Sequence, residues 1–144
     1  MAEYLVNSNM TALHVTKETS AAFITRTGPV LIETHFKPDV SISPEGIYEN
    51  IAVRREMCDG KPHVMLSVIS GERDLDPAVM RTDFFNLPKD RAVVKAIALV
   101  LDGVFLPAVA QMYFSYFPQT FRTEVFSSEA DARAWLAAEA EGLK

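Results

Sequence analysis

The chain is poor in the residues that build metal centres, disulfide frameworks and nucleic-acid interfaces. Cys58 is the only cysteine, so no internal disulfide can form, and a reducing, cytoplasmic setting is expected. The three histidines, His14, His35 and His63, are scattered without ligand spacing, and no zinc or other metal site is expected. Basic residues are outnumbered, 14 Lys and Arg against 19 Asp and Glu, for a net charge of -5. That balance argues against a phosphate-bound nucleic-acid partner and against adhesion to anionic lipid. No apolar run is long enough to span a bilayer as a helix; the longest is Val104–Phe117. The N-terminus lacks a basic segment followed by an apolar core, so no signal peptide is expected. Phosphate loops, dinucleotide glycine fingerprints and G-x-S-x-G elbows are missing, so neither cofactor nor catalytic residues are assigned.

What is present is a chain of 144 residues, 49% of them apolar, enough for one domain with one core. Residues 1–20 are weakly patterned, with a short strand conceivable at Leu13–Val15; residues 21–144 are expected to form the domain. Ala21–Arg26 and Val30–Phe36 flank Thr27-Gly28-Pro29 and read as a hairpin. Alternation places Glu33 and His35 on its solvent face, opposite Ile32 and Phe36. Ser43-Pro44-Glu45 is a helix start, with Asp59-Gly60 its stop. Ile47, Ile51 and Cys58 share its buried face; Glu49, Asn50, Arg54 and Arg55 lie mostly away from it.

His63–Ser70, HVMLSVIS, is nearly continuous apolar sequence and fits a central strand buried on both faces. Asp76-Pro77 then opens a helix carrying Ala78, Val79, Met80, Phe84 and Phe85, broken at Leu87-Pro88. A helical turn at Lys89–Val94, a strand at Ala96–Leu101, a helix at Val104–Phe117 and a strand at Arg122–Phe126 follow. Ser128-x-x-Asp131 caps a last helix, with Trp135 expected as a core anchor under the sheet. Strands alternating with helices imply parallel neighbours joined by crossovers. The expected fold is α/β, a mixed sheet of about five strands with about four helices.

Three stretches carry a family resemblance: FKPDVSISPEGIYEN, AIALVLDGVFLPAVAQMYF and FRTEVFSSEADARAWL. Together they resemble the STAS domain (sulfate transporter and anti-sigma-factor antagonist), and more closely the stage-II-sporulation-AA-like family. The resemblance spans about residues 21–140 and implies a binding or regulatory module rather than an enzyme. In anti-sigma-factor antagonists a serine at the start of the helix after the central strand is phosphorylated by a partner kinase. This chain departs from that pattern, with Asp76-Pro77 at that start, Asp74 nearby, and Ser70 several residues early.

Two features remain as candidate sites. Glu72, Asp74, Asp76 and Asp102 follow strand ends, beside Ser70, where an open parallel sheet usually meets its ligands. They are expected to be a helix cap and solvated loop charges; the alternative is a metal-assisted enzyme using Asp74, Asp76 and Asp102. The helix at Val104–Phe117 is apolar almost all round, with Gln111 and Ser115 its narrow polar stripe. Phe105, Val109, Met112, Tyr113, Tyr116 and Phe117 exceed what one sheet face buries. The surplus packs on Phe84 and Phe85, forms a homodimer or regulatory-partner contact, or walls a site for a small apolar or lipid-like ligand.

Overall fold

The computed structural model describes residues 14–143, which form a six-stranded sheet with four α-helices. The strands are β1 (His14–Glu18), β2 (Ala22–Thr27), β3 (Leu31–Phe36), β4 (His63–Ile69), β5 (Val94–Leu101) and β6 (Arg122–Phe126). They lie side by side in chain order. β1 to β3 are antiparallel; β3 to β6 are parallel. The helices are α1 (Pro44–Cys58), α2 (Pro88–Val93), α3 (Phe105–Tyr116) and α4 (Glu129–Glu141). The strand at 14–18 extends beyond the expected Leu13–Val15, and of that stretch Leu13 lies outside the described residues.

Sequential parallel strands joined by right-handed crossovers put every crossover on one face. The burial pattern agrees. Met65, Ile69, Ile97 and Leu101 join Ile51 of α1 and Leu106, Ala110 and Tyr113 of α3 in one cluster. The alternate residues Val64, Leu66, Ala96 and Ala98 meet Ala132, Leu136 and Ala140 of α4 on the other face. Two apolar faces are why β4 reads as an unbroken apolar run. Ala96 and Ala98, fully buried and small, let α4 approach the sheet closely. Trp135 is not the anchor: it is half-buried at the rim on Phe126 and Arg122, and Leu136 is the buried residue of that turn.

The expected local signals form. Ser43 Oγ accepts from Gly46 N at 3.1 Å, and Pro44 opens α1. Gly46 suits the close approach there, because a Cβ would lie 3.2 Å from Ala21 Cβ, just before β2. Asp59 and Gly60 end α1 in the left-handed region. Ser128 Oγ accepts from Asp131 N and starts α4.

Three further expectations fail, the first two because a polar residue is buried with a partner. Asn50 and Arg54 lie within the buried face of α1. Arg54 and Asp90 of α2 are each 1% exposed and form an ion pair. Arg55 grips the same carboxylate through Nε and Nη2, at 3.0 and 2.6 Å. The ring of His63 completes the cluster: Nδ1 lies 2.9 Å from Lys61 O and Nε2 lies 3.3 Å from Arg54 Nη1. A neutral ring satisfies both contacts, donating from Nδ1 and accepting at Nε2. Glu33 is likewise buried, held by Arg133 of α4 at 2.6 and 3.1 Å and by His35 at 2.9 Å. Burial pushes its carboxyl up, but hydrogen bonds from Arg133, His35 and Thr27, with the Arg133 charge, outweigh this and hold the pKa at about 2.

The third failure is the helix after β4. It is a 3-10 turn, Pro77–Arg81, followed by irregular chain to α2. Thr82 Oγ1 donates back to Ala78 O, Asp83 Oδ1 accepts from Phe85 N, and Pro88 holds Leu87 extended. Local hydrogen bonds thus replace the helical ladder.

The His63 environment sets a pH limit. Burial, reinforced by the Arg54 and Arg26 charges, lowers its pKa from 6.5 to about 4 against the Lys61 hydrogen bond and Asp90. The unfolded chain therefore takes up the proton first, so stability is full above about 6.5 and falls as pH drops toward 4. Urea melts should lose about 2 kcal/mol of stability between pH 6.5 and 4.5 through this group. His63→Gln should remove that slope; an unchanged slope would assign it to another residue.

Candidate functional site

The site follows from where the crossovers sit. α1 rests on β2 and β3, and α3 rests on β6. Between them, on this face, β4 and β5 are covered by the 3-10 turn and the chain that follows it. A half-open cavity of about 180 Å³ remains over these central strands. Its floor includes Met65, Ser67, Ile69, Ile97, Leu99 and Leu101. Ile47, Asn50 and Ile51 line it from α1, and Leu106, Val109, Ala110, Tyr113 and Phe114 from α3. Val79, Met80, Phe84 and Phe85 line it from the crossover. Among the described residues, none that lines it is charged.

The crossover is fastened by one side chain. Tyr113 Oη donates to Thr82 O at 2.6 Å and accepts from Phe84 N at 3.0 Å. Burial pushes this phenol up to about 12, so it stays protonated and keeps both bonds. Phe84 lies between Tyr48 and Tyr113, at centroid distances of 5.2 and 6.1 Å, and Phe85 meets Phe121 edge-on at 5.0 Å. Tyr113 also contacts Phe114 and Phe117.

The apolar helix is therefore divided. Tyr113, with Phe84 and Phe85, is buried; Val109 and Phe117 are half-buried. Phe105, Met112 and Tyr116 are about half exposed or more, at 51%, 50% and 63%, and recur at helical spacing on the outer face. The sequence-derived set thus brings together a cavity wall and a separate outer ridge.

The two loops of the acidic edge meet where Asp102–Gly103 lies against Gly71–Glu72. Ser70, Asp74, Asp76 and Asp102 are all exposed. Asp76 Oδ1 caps the 3-10 turn by accepting from Ala78 N, and Asp102 Oδ2 accepts from Gly71 N, both at 2.9 Å. Glu72 closes over Gly103, where a Cβ would meet its Oε1 at 2.5 Å. Arg73 ties the loop down through Ser70 O, Lys37 O and Val40 O. Among the described residues no three His, Cys, Asp or Glu side chains are placed to share a metal ion. Cys58 is buried near the end of α1, its Sγ 3.5 Å from Arg55 O.

Sequence reasoning missed Asn50 as a lining residue. Gly46, Asn50, Arg54 and Met57 repeat at helical spacing along one stripe, and only hydrophobicity scoring hides it.

Comparison with known proteins places the fold. Residues 11–139 match the family described as Domain of unknown function (DUF7793), and the chain belongs to that family. No curated protein matches. Among solved structures the chain is similar to an uncharacterized protein of the DUF3478 family with a SpoIIAA-like fold, from Shewanella loihica PV-4. The two are 14% identical; the match covers 85% of this chain and 91% of that one, at a TM-score of 0.53. At that identity the likeness shows the fold alone, and it is the stage-II-sporulation-AA-like fold expected from the sequence. No helix among the described residues is long and apolar enough to cross a membrane.

The Tyr113 bridge is testable by itself. Tyr113→Phe keeps the ring but strands the buried Phe84 N–H. Urea melts should show a loss of about 1–3 kcal/mol; no loss would mean that water replaces the hydroxyl.

Proposed function

We propose that this chain is a non-enzymatic cytoplasmic binding module whose ligand site is the cavity between α1 and α3. The observation that carries this reading is a space of about 180 Å³ above the central strands, walled almost entirely by apolar side chains. Protein interiors are normally close-packed, and dry apolar cavities of about 150 Å³ are known to take up benzene. Among the described residues the site has no metal-ligating carboxylate cluster and no charged lining, which favours binding over catalysis. Asp76 and Asp102 are engaged as backbone caps, so the metal-assisted alternative has little to draw on.

Ethylbenzene is a suitable neutral probe. Near saturation it should raise the thermal midpoint by several degrees, because a ligand that binds only the folded state stabilises it. Val109→Phe, at a half-buried lining position, should fill the space and weaken ethylbenzene at least tenfold while the protein stays folded. Absence of any shift in the wild type would sink the cavity reading.

A second reading has its own observation. Phe105, Met112 and Tyr116 form an exposed apolar ridge on α3, the kind of surface that marks a protein contact. A homodimer or a regulatory partner would cover it. Sedimentation should then show a dimer at micromolar concentration that Phe105→Glu with Tyr116→Glu converts to a folded monomer. A wild-type monomer would exclude self-association, and a double variant that stays dimeric would place the interface elsewhere.

A further inference from the structure

The floor of the cavity is apolar except at one place. β4 presents Met65, Ser67 and Ile69 to it, and β3 presents Thr34 and Phe36. Ser67 is the break in the apolar run HVMLSVI. It is the register partner of Thr34 on the neighbouring parallel strand, so the two hydroxyls stand side by side. Neighbouring strands lie about 4.8 Å apart, which lets one oxygen above the pair come within hydrogen-bond reach of both.

The protein itself does not use these hydroxyls. Thr34 is 4% exposed and Ser67 is half-buried. Among the described residues neither hydroxyl has a hydrogen-bond partner, and the two do not bond each other. Nor is either oxygen sealed away, unlike Asn50 Nδ2, which is closed off from anything in the cavity. β3 and β4 are interior strands, so the ladders on both sides take up their backbone groups. Buried polar side chains normally find a partner, because an unmade hydrogen bond is expensive. The two hydroxyl hydrogens therefore call for an acceptor that the chain does not supply.

The rest of the lining sets the chemistry of that acceptor. No described lining residue is charged, so a carboxylate would lose its hydration without a countercharge. An uncharged oxygen has two lone pairs, one for each hydroxyl. Tyr113 Oη is not available, since it donates to Thr82 O and accepts from Phe84 N. Across the floor, Leu99 and Leu101 of β5 and Leu106 and Val109 of α3 offer apolar surface.

We propose that the cavity takes a small neutral amphiphile, its one uncharged oxygen seated on Thr34 Oγ1 and Ser67 Oγ and its apolar body against β5 and α3. This rests on the cavity being a ligand site, and adds the polarity of the ligand and the way it lies.

Benzyl alcohol and ethylbenzene differ by a hydroxyl in place of a methyl. Both are titrated into wild type, Thr34→Val, Ser67→Ala and the double variant, with phenylacetate as the anionic control. Ethylbenzene gains more on leaving water, so the change made by each substitution decides, not the wild-type ratio. Each single substitution should weaken benzyl alcohol about threefold to tenfold, and the double variant more than about tenfold, with ethylbenzene within about threefold of wild type or tighter. The variants should melt no lower than wild type, because they remove hydroxyls that the protein leaves unpaired. A large loss of stability would show that the protein pairs them itself and would overturn the proposal. In wild type, nuclear Overhauser contacts should join the benzylic CH₂ to the Thr34 methyl and the ring protons to the Val109 methyls; the reverse orientation would overturn it without any variant. Equal weakening of both probes would remove the hydroxyl pair as the anchor and leave the cavity reading standing. So would unchanged binding of benzyl alcohol, the result expected if water serves the pair, or tighter binding of phenylacetate than of the alcohol. Binding of none of the three would overturn the cavity reading itself.

Discussion

The buried ion cluster of Arg54, Arg55, Asp90 and His63 sets the positions of the helices from which the site is built. Two guanidiniums share one carboxylate, and Arg54 and Asp90 are each 1% exposed. Such a cluster is weak evidence for net stability, since apolar residues of equal volume often do as well. Its value lies in position. Losing one member would leave a buried charge unpaired, at about 3–5 kcal/mol, so the geometry is strongly enforced. The cluster joins the last turns of α1 to α2 and to the first residue of β4. Arg133 and Glu33 make the corresponding link on the other face, between α4 and β3. Each face of the sheet thus has a helix fixed by an ion pair to a buried carboxylate, while apolar packing fills the space between.

With α1 held over β2 and β3, the middle of the sheet must be covered by the crossover between β4 and β5. A full helix there would close it. Thr82, Asp83 and Pro88 prevent that helix, and Tyr113 instead draws the irregular chain against α3 through Thr82 O and Phe84 N. The cavity is therefore the joint result of a pinned helix, a broken helix and a third helix that rests on β6. It is bounded by the sheet, α1 and α3, and on the remaining side by the irregular chain that Tyr113 holds.

Much of the fold was legible because local chemistry and tertiary structure agree. Ser43-Pro44, Asp59-Gly60 and Ser128 mark helix ends by satisfying backbone groups, and HVMLSVI marks a strand covered on both faces. The failures share one cause. Patterning assumes that polar residues face water, so Asn50, Arg54 and Glu33 were assigned to the outside of elements whose buried stripes they complete. Only the partners, Thr19, Asp90 and Arg133, make burial tolerable, and these lie 31, 36 and 100 residues away in the chain. The helix expected after Asp76 failed for a different reason, because Thr82 and Asp83 offer the backbone local alternatives that apolar periodicity does not register. The apolar excess of α3 was legible, and so was the choice it posed. Its division into a core face, a cavity wall and an outer ridge required the neighbouring elements.

The magnitude of the void bears on whether it is incidental. Empty volume in a core costs about 24 cal/mol per Å³, so 180 Å³ corresponds to at most about 4 kcal/mol, less where water enters the open side. A domain of this size has only about 5–15 kcal/mol of stability in total. Closing the space needs no change of fold: Val79 and Val109 both line it, and a larger side chain at either would occupy part of it. A void that is expensive and simple to fill is better explained by an occupant than by poor packing. The same reasoning ranks the two apolar features of α3: the outer ridge forfeits little by facing water, whereas the inner wall forfeits contacts on every residue that lines it.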